Sequence, residues 1–226
     1  MRIAAVIPAR DEEASLPLVL ASLPRGLLDE VVVVDNGSTD RTAAVARAGG
    51  ATTLEEPRRG YGAACLRAIE YLRARQPDVV VFLDGDYSDH PEEMPRLLDP
   101  IRLGESDLVV GSRLLGRRDP GSLLPQAIAG NWLATRLMRL FYGGRFTDLG
   151  PFRAIRFQAL LDLGMRDRGF GWTAEMQVKA LKRGLRTREV PVSYRRRLGV
   201  SKITGTFRGT LSAGAKILWT VFRGLV

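Results

Sequence analysis

The chain is poor in the side chains that most often carry nucleophilic or metal chemistry. It has one cysteine, Cys65, and one histidine, His90. A single cysteine excludes an intrachain disulfide and a cysteine-based zinc site. A Ser-His-Asp triad would have to use His90, and no suitably framed serine motif accompanies it. No secretion signal is legible either. Met1 to Pro8 reads as a short apolar strand, without the apolar core and cleavage site of an export segment, so a cytoplasmic location is expected. Long apolar runs are missing: Arg208, Lys216 and Arg223 interrupt the last stretch, far short of the roughly 20 residues a membrane span needs. Acid is absent beyond Glu189, whereas Arg195, Arg196, Arg197, Lys202, Arg208, Lys216 and Arg223 all follow it. The net charge of +9 is therefore concentrated in the tail. Nucleic acid, an anionic membrane and a phosphate-bearing substrate could each answer such a charge. Nucleic acid ranks last, because the tail lacks an aromatic stacking platform and the acidic loops would repel a polyanion.

What is present favours one packed α/β domain. At 226 residues, 45% hydrophobic and 26% charged, the chain can build a core without covalent staples. Apolar runs at 2–7, 30–35, 51–54, 79–83 and 108–111 read as strands. The four valines within Glu30 to Asp35 suit a strand covered on both faces. Helical patterns separate them, at about 14–23, 40–48 and 60–75 and from Pro91 onward. Such alternation predicts a mostly parallel, doubly wound sheet. Beyond a Gly-, Arg- and Pro-rich loop at 112–124 the pattern predicts a helix over 125–142, a strand at 152–156, a helix at 173–183, a strand at 186–194 and a final helix over 206–225. Ligands of such sheets lie at the carboxyl ends of the strands. The polar loops 8–13, 35–40 and 84–90 each follow a strand and are expected to share one edge.

Asp84-Gly85-Asp86 is the sharpest of these loops, with two carboxylates one residue apart after an apolar strand. Hard divalent cations take carboxylate and phosphate oxygens together. Asp-Gly-Asp is equally good turn chemistry, and taken alone the two readings balance. Three acidic loops at one edge tip that balance. His90, just before Pro91, reads as structural at a helix start.

Pro8-Ala9-Arg10-Asp11-Glu12-Glu13, Asp35-Asn36-Gly37-Ser38-Thr39-Asp40, Gly60-Tyr61-Gly62-Ala63-Ala64 and Asp84-Gly85-Asp86 with His90-Pro91, in this order and spacing, resemble family-2 glycosyltransferases of the GT-A fold. Within that family the chain is similar to the dolichyl- and polyprenyl-phosphate sugar synthases, from about residue 3 to about residue 205. The resemblance implies an inverting, metal-dependent hexosyltransferase domain over 1–205, with a nucleotide-sugar half at 1–112 and an acceptor half at 113–205, followed by an amphipathic helix at 206–226. It implies that Pro8, Ala9, Arg10, Glu12 and Asp35 meet the base and ribose of the donor, where the family commonly shows Tyr-Asn-Glu in place of Arg10-Asp11-Glu12. Asp84 and Asp86 would hold Mg²⁺ or Mn²⁺ and the diphosphate, and Arg113 would lie on the donor side. Gly60 and Gly62 read as a loop whose backbone approaches the donor, since Cys65 breaks any dinucleotide fingerprint there. Asp148 and Glu175 stand near the acidic acceptor-side positions of the family, and either could act as a base. Glu175 is equally explained as a helix-surface partner of Lys179. Arg195-Arg196-Arg197 with Ser201-Lys202 resembles the segment that grips a lipid phosphate.

The expected substrates are a nucleotide-sugar, UDP-glucose or GDP-mannose, and a polyprenyl or dolichyl phosphate. On a helical wheel Phe207, Leu211, Leu218, Val221, Phe222 and Leu225 share one side, opposite Arg208, Lys216 and Arg223. That pattern suits an interfacial helix on anionic lipid, or equally a helix packed on the domain. A hydroxyl acceptor and a nucleotidyltransferase remain open as alternatives.

Overall fold

The computed structural model describes residues 1–199 and 207–224, the stretch 207–213 as backbone only. Seven strands form one sheet. In chain order they are β1 (Ile3–Ala9), β2 (Glu30–Asp35), β3 (Thr52–Glu55), β4 (Val79–Phe82), β5 (Leu108–Ser112), β6 (Arg153–Arg156) and β7 (Thr187–Pro191). Their order across the sheet is β3-β2-β1-β4-β6-β5-β7. All neighbours pair in parallel except β6, which runs antiparallel to both β4 and β5. This is the GT-A arrangement that the resemblance implied.

The period-2 alternation of the strands separates two cores. Ile3, Ala5 and Ile7 of β1, with Val79 and Val81 of β4, face one side of the sheet. There they meet Leu16, Val19 and Leu20 of α1 (Leu16–Ser22), Ala46 of α2 (Thr42–Ala48), and Leu97 and Ile101 of α4 (Met94–Arg102). Ala4 and Val6, with Val80 and Phe82, face the other side. They meet α3 (Tyr61–Leu72), α6 (Phe157–Leu163) and α7 (Trp172–Lys182) through Ala68, Leu160 and Trp172. A third apolar cluster joins α7 to α5 (Pro125–Tyr142) and α8 (Phe207–Arg223), with Met138, Val178 and Val221 at its centre.

The observed elements depart from the sequence pattern at identifiable places. Helix α3 stops at Leu72 rather than at 75, because Gln76 takes a left-handed φ of 49° and Pro77 follows. Pro91–Glu93 forms a 3-10 turn, and α4 begins only at Met94. Strand β7 ends at Pro191, short of 194. Helix α6, absent from the sequence reading, occupies one short stretch with Phe157, Leu160 and Leu163 on its buried face and ends at left-handed Gly164. Because β6 and β7 complete the sheet begun by β1 to β5, the two halves of the chain share one core.

Candidate active site

Strands β2, β1 and β4 lie side by side in parallel, so the loops that leave them share one edge. The first two loops are tied together. The Asp11, Glu12 and Glu13 N–H groups donate to Ser38 Oγ, Thr42 Oγ1 and Asp40 Oδ2 at 2.9, 2.7 and 3.1 Å. Thr39 N–H returns a bond to Asp11 Oδ1 at 2.7 Å. Asp11 takes a left-handed φ of 49°, which Asp tolerates better than most residues. Asp35 accepts the Ser38 N–H at 3.0 Å and so holds this loop in shape. Its neighbour Asn36, which sequence reasoning passed over, is the clamp. Asn36 Nδ2 donates to the Glu56 and Arg58 carbonyls at 3.0 and 2.8 Å, and its Oδ1 accepts the Gly60 N–H at 2.8 Å.

These contacts shape a cleft of about 310 Å³. Pro8, Ala9, Arg10 and Glu12 line it after β1, and Asn36 after β2. Gly60 and Tyr61 line it at the start of α3, and Asp84 and Asp86 after β4. Asp35 does not line it. The two glycines expected to bring backbone close to a donor serve a different neighbour. A Cβ on Gly60 would overlap the Arg168 carbonyl oxygen, and one on Gly62 the Asp167 carbonyl oxygen. The loop 167–169 presses on α3 there, accepting the Gly62 and Ala63 N–H groups at 3.2 and 3.0 Å. Only Gly60 also reaches the cleft.

Asp84, Asp86 and Asp89 crowd one turn. Asp86 Oδ1 accepts the Ser88 N–H at 2.9 Å, and Asp89 Oδ2 accepts the Asp84 N–H at 3.1 Å. Burial, then the charges of Asp86 and Asp89, push Asp84 well above the usual carboxylate range. Burial, outweighing the bond from the Asp84 N–H, pushes Asp89 up to about 7. Such crowding calls for a counter-cation. Among the described residues no cage of three or more ligating side chains surrounds the pair. Asp84 faces both clefts, whereas Asp86 is engaged by Ser88 and by the Arg197 guanidinium, so a hard divalent ion that completes its shell with phosphate oxygens would take both carboxylates only by displacing Arg197. By the chemistry of its oxygens the pair fits the metal expected at Asp84 and Asp86, with Arg197 as the cation now in place there.

The Arg-rich segment is laid onto this turn by its backbone. Arg195 N–H donates to the Ser88 carbonyl at 2.9 Å and Leu198 N–H to the Asp86 carbonyl at 3.0 Å. Arg197 is thereby brought into an ion pair with Asp86. Arg195 stacks on the Tyr87 ring, 3.8 Å from its centroid, and donates to the Asp89 carbonyl at 3.1 Å. Arg196 turns away, its Nε donating to the Pro120 carbonyl at 2.6 Å, and lines neither cleft of this edge. Ser201 and Lys202 lie outside the described residues.

A second cleft, of about 320 Å³, opens from the same carboxylates. Tyr61, Asp84, Asp86, Phe170 and Arg197 line both. The rest of its wall is mainly apolar: Leu123, Leu124 and Ile128 from α5 and the segment before it, Leu149, and Ile217 and Leu218 from α8. Arg113, expected on the donor side, lines this second cleft and not the first, together with Tyr194. None of the apolar lining was foreseen; its members come from elements far apart in sequence.

Asp148 is wholly buried and fully engaged. Arg113 grips it with two guanidinium bonds of 2.8 Å, while the Arg113 and Leu149 N–H groups donate to it at 2.8 Å each. Burial alone would raise its pKa, but the Arg113 charge and these bonds outweigh burial and hold it below the usual range. Glu175 sits elsewhere. Its carboxylate accepts the Arg166 and Asp167 N–H groups at 3.0 and 2.7 Å and pairs with Lys179 at 2.7 Å. The structure joins it to neither cleft of the active edge, in keeping with the helix-surface pairing open to it from sequence. His90, bonded through Nδ1 to Glu92 at 2.8 Å, holds the structural place expected of it.

The comparisons with known proteins agree with this geometry. The model of the family described as glycosyl transferase family 2 matches residues 4–164. An uncharacterised glycosyltransferase of Mycobacterium bovis is 39% identical over 92% of this chain and 92% of its own length. The undecaprenyl-phosphate mannosyltransferase of Micrococcus luteus is 34% identical over 92% of this chain and 90% of its own, and the dolichyl-phosphate hexose transferase of Haloferax volcanii is 34% identical over 96% and 92%. Among solved structures, glucosyl-3-phosphoglycerate synthase of Mycobacterium tuberculosis, crystallised with Mn²⁺, UDP-glucose and phosphoglyceric acid, shares the fold with a TM-score of 0.78, at 24% identity over 99% of this chain and 79% of that one. The parallel strands, the loops at their carboxyl ends and these relatives lead to one assignment: the chain belongs to glycosyl transferase family 2.

Proposed function

We propose that this glycosyltransferase moves a hexose from a nucleotide-sugar onto the phosphate of a polyprenyl or dolichyl lipid, with inversion at the transferred carbon. The observation that carries the reading is the meeting, at Asp84 and Asp86, of a cleft lined by the charged and amide side chains of the strand-end loops and a cleft walled by leucines and isoleucines of α5 and α8. The first cleft suits a nucleoside diphosphate, and the apolar wall of the second suits a hydrocarbon chain whose phosphate points at the carboxylates. Two relatives of nearly full-length overlap carry names that specify a polyprenyl or dolichyl phosphate. The apolar wall also favours this acceptor over a sugar hydroxyl.

In this reading Pro8, Ala9, Arg10, Glu12 and Asn36 seat the nucleoside, and Asp35 keeps their loop in register. Asp84 and Asp86 would hold a divalent ion, Mg²⁺ or Mn²⁺, once Arg197 turns from Asp86 to a substrate phosphate, and the ion would neutralise charge on the departing diphosphate. A phosphate oxygen of the lipid forms the new bond to the sugar carbon as the bond to the diphosphate breaks, and the nucleoside diphosphate leaves. A phosphate monoester is largely ionised near neutral pH, so its oxygen needs placement more than deprotonation. Arg197 and Arg113 supply that placement. Asp148, with every approach to its oxygens taken, acts as the anchor of Arg113 rather than as a base.

Among the described residues no helix is long and apolar enough to cross a membrane. The apolar side of α8 divides. Ile217, Leu218 and Val221 pack on the domain, whereas Trp219 and Phe222 are exposed. The side chains of Phe207 and Leu211, and all of Leu225, lie outside what is described. With exposed Trp132, Leu133 and Leu140 of α5, these aromatics support peripheral attachment at the cytoplasmic face of a membrane.

The test is donor consumption. The protein is incubated with Mg²⁺ or Mn²⁺ and each common nucleotide-sugar, with and without a short-chain polyprenyl phosphate, and released nucleoside diphosphate is assayed. Release that needs both the ion and the lipid phosphate is expected. Release indifferent to the lipid phosphate would overturn the acceptor, and release without the ion would overturn the metal.

A further inference from the structure

A third cleft, of about 600 Å³, lies between α7, α8 and the segment before α7. It shares no lining residue with the two clefts of the active edge. Lys179, Lys182 and Lys216 line it and are already engaged: Lys179 with Glu175 at 2.7 Å, Lys216 with Asp167 at 3.1 Å, and Lys182 Nζ with the Gly224 carbonyl at 2.5 Å. Those pairings use up the two carboxylates of the cleft. Arg166, Arg168, Arg183 and Arg223 line the same volume and have no carboxylate partner among the described residues. Four unpaired guanidinium groups around one space repel one another, and their planar forks match phosphate oxygens.

The rim of the cleft says which phosphate. Trp219 lines it and is 61% exposed. Phe222, on the same helix and 44% exposed, touches the Phe141 ring of α5 with centroids 5.7 Å apart. A free anion would account for the arginines alone. A bilayer with anionic headgroups accounts for the arginines and for the bare apolar side chains beside them.

We propose that this cleft seats the phosphate headgroups of anionic phospholipids and so holds the protein on a negatively charged bilayer, separately from the acceptor phosphate at Asp84 and Asp86. The proposal rests on the reading of a membrane-borne acceptor and identifies the surface that meets the membrane.

The experiment is co-sedimentation of the full chain with vesicles of phosphatidylcholine alone or mixed with phosphatidylglycerol, for the wild type and the triple variant Arg166→Ser, Arg183→Ser, Arg223→Ser. Turnover on a short, water-soluble prenyl phosphate without vesicles is measured in parallel. Each basic residue at an anionic surface is worth about fivefold in partitioning, so the triple variant is expected to bind mixed vesicles on the order of a hundredfold more weakly. Its thermal melt and its turnover on the soluble acceptor should stay as in the wild type. Equal vesicle binding by variant and wild type would overturn the cleft and leave the acceptor reading standing. A wild type that binds pyrophosphate in the cleft by calorimetry but ignores mixed vesicles would overturn the lipid in favour of a free anion. Vesicle binding lost in the variant, with no turnover on any prenyl phosphate by either protein, would sustain the cleft and sink the acceptor.

Discussion

Asp148→Asn separates an anchoring carboxylate from a catalytic base. In the wild type the side chain is 0% exposed and its Arg113 partner 15% exposed. Asparagine keeps the shape but replaces one acceptor oxygen with an NH₂ donor, which then faces the donors of the Arg113 fork. Arg113 is left buried with its charge uncompensated. Breaking one side of a buried pair costs about 3–5 kcal/mol, and that loss is expected in urea unfolding at pH 7. The sign of the pH dependence follows from the lowered pKa of Asp148. Its contribution is fully present above the unfolded value of about 3.9 and fades as pH falls through the still lower folded value, so variant and wild type should converge in acid. Turnover should drop because Arg113 is misplaced, with a raised KM and no change in the shape of the pH–rate profile. A variant whose unfolding free energy matches the wild type, while turnover is lost at every pH, would refute the anchor and restore the base.

Other outcomes follow from the same contacts. Asp89 titrates near 7 in the fold, above its unfolded value, so the folded form is favoured while the proton is held and loses stability as pH rises from about 4 through 7. Asp89→Asn should therefore melt higher than the wild type at pH 8 and together with it below about pH 4; equal melting temperatures at pH 8 would remove the argument. For the same reason Mn²⁺ alone should raise the wild-type melting temperature more at pH 8 than at pH 5, and a shift independent of pH would count against the carboxylate site. Gly62→Ala drives a methyl group into the Asp167 carbonyl and should cost about 1–3 kcal/mol in urea unfolding; a neutral result would mean that the 167–169 loop yields freely. Leu123→Asp places a charge on the apolar wall, so KM should rise steeply for long-chain prenyl phosphates and little for short ones, whereas an effect independent of chain length would move the hydrocarbon chain elsewhere.

The first half of the chain was largely legible because its signals are local. Four valines mark β2, strand boundaries fall within two residues of the hydrophobic runs, and the loops after β1, β2 and β4 meet because parallel neighbours end together. The parts that were not legible depend on contacts between distant segments. Asn36 reads as one more loop polar residue until Glu56, Arg58 and Gly60 arrive to satisfy its amide. Gly60 and Gly62 look like ligand glycines in isolation, and only the return of 167–169 against α3 explains them. Asp148 and Glu175 are both acids at plausible spacing, and what separates their roles is the partner each finds: a buried arginine in one case, two backbone amides and a surface lysine in the other.

The antiparallel strand explains how the second cleft arises beside the first. Were β6 parallel like its neighbours, the chain after it would leave from the carboxyl edge, and Asp148 to Pro151 before it would enter from the opposite edge. Because β6 runs against β4 with Phe82 opposite Arg153, its start lies at the carboxyl edge, and the residues just before it are delivered beside Asp84. Leu149 therefore reaches the second cleft as part of its apolar wall, and Asp148, buried behind it, anchors the Arg113 that lines the cleft. Strand β7, parallel to β5, ends at the same edge and feeds Tyr194 and Arg197 onto the Asp86 turn. One reversed strand and one parallel strand thus bring two segments from the second half of the chain to the carboxylate pair. On the proposed reading this lets the two substrates meet at the residues the clefts share, Tyr61, Asp84, Asp86, Phe170 and Arg197.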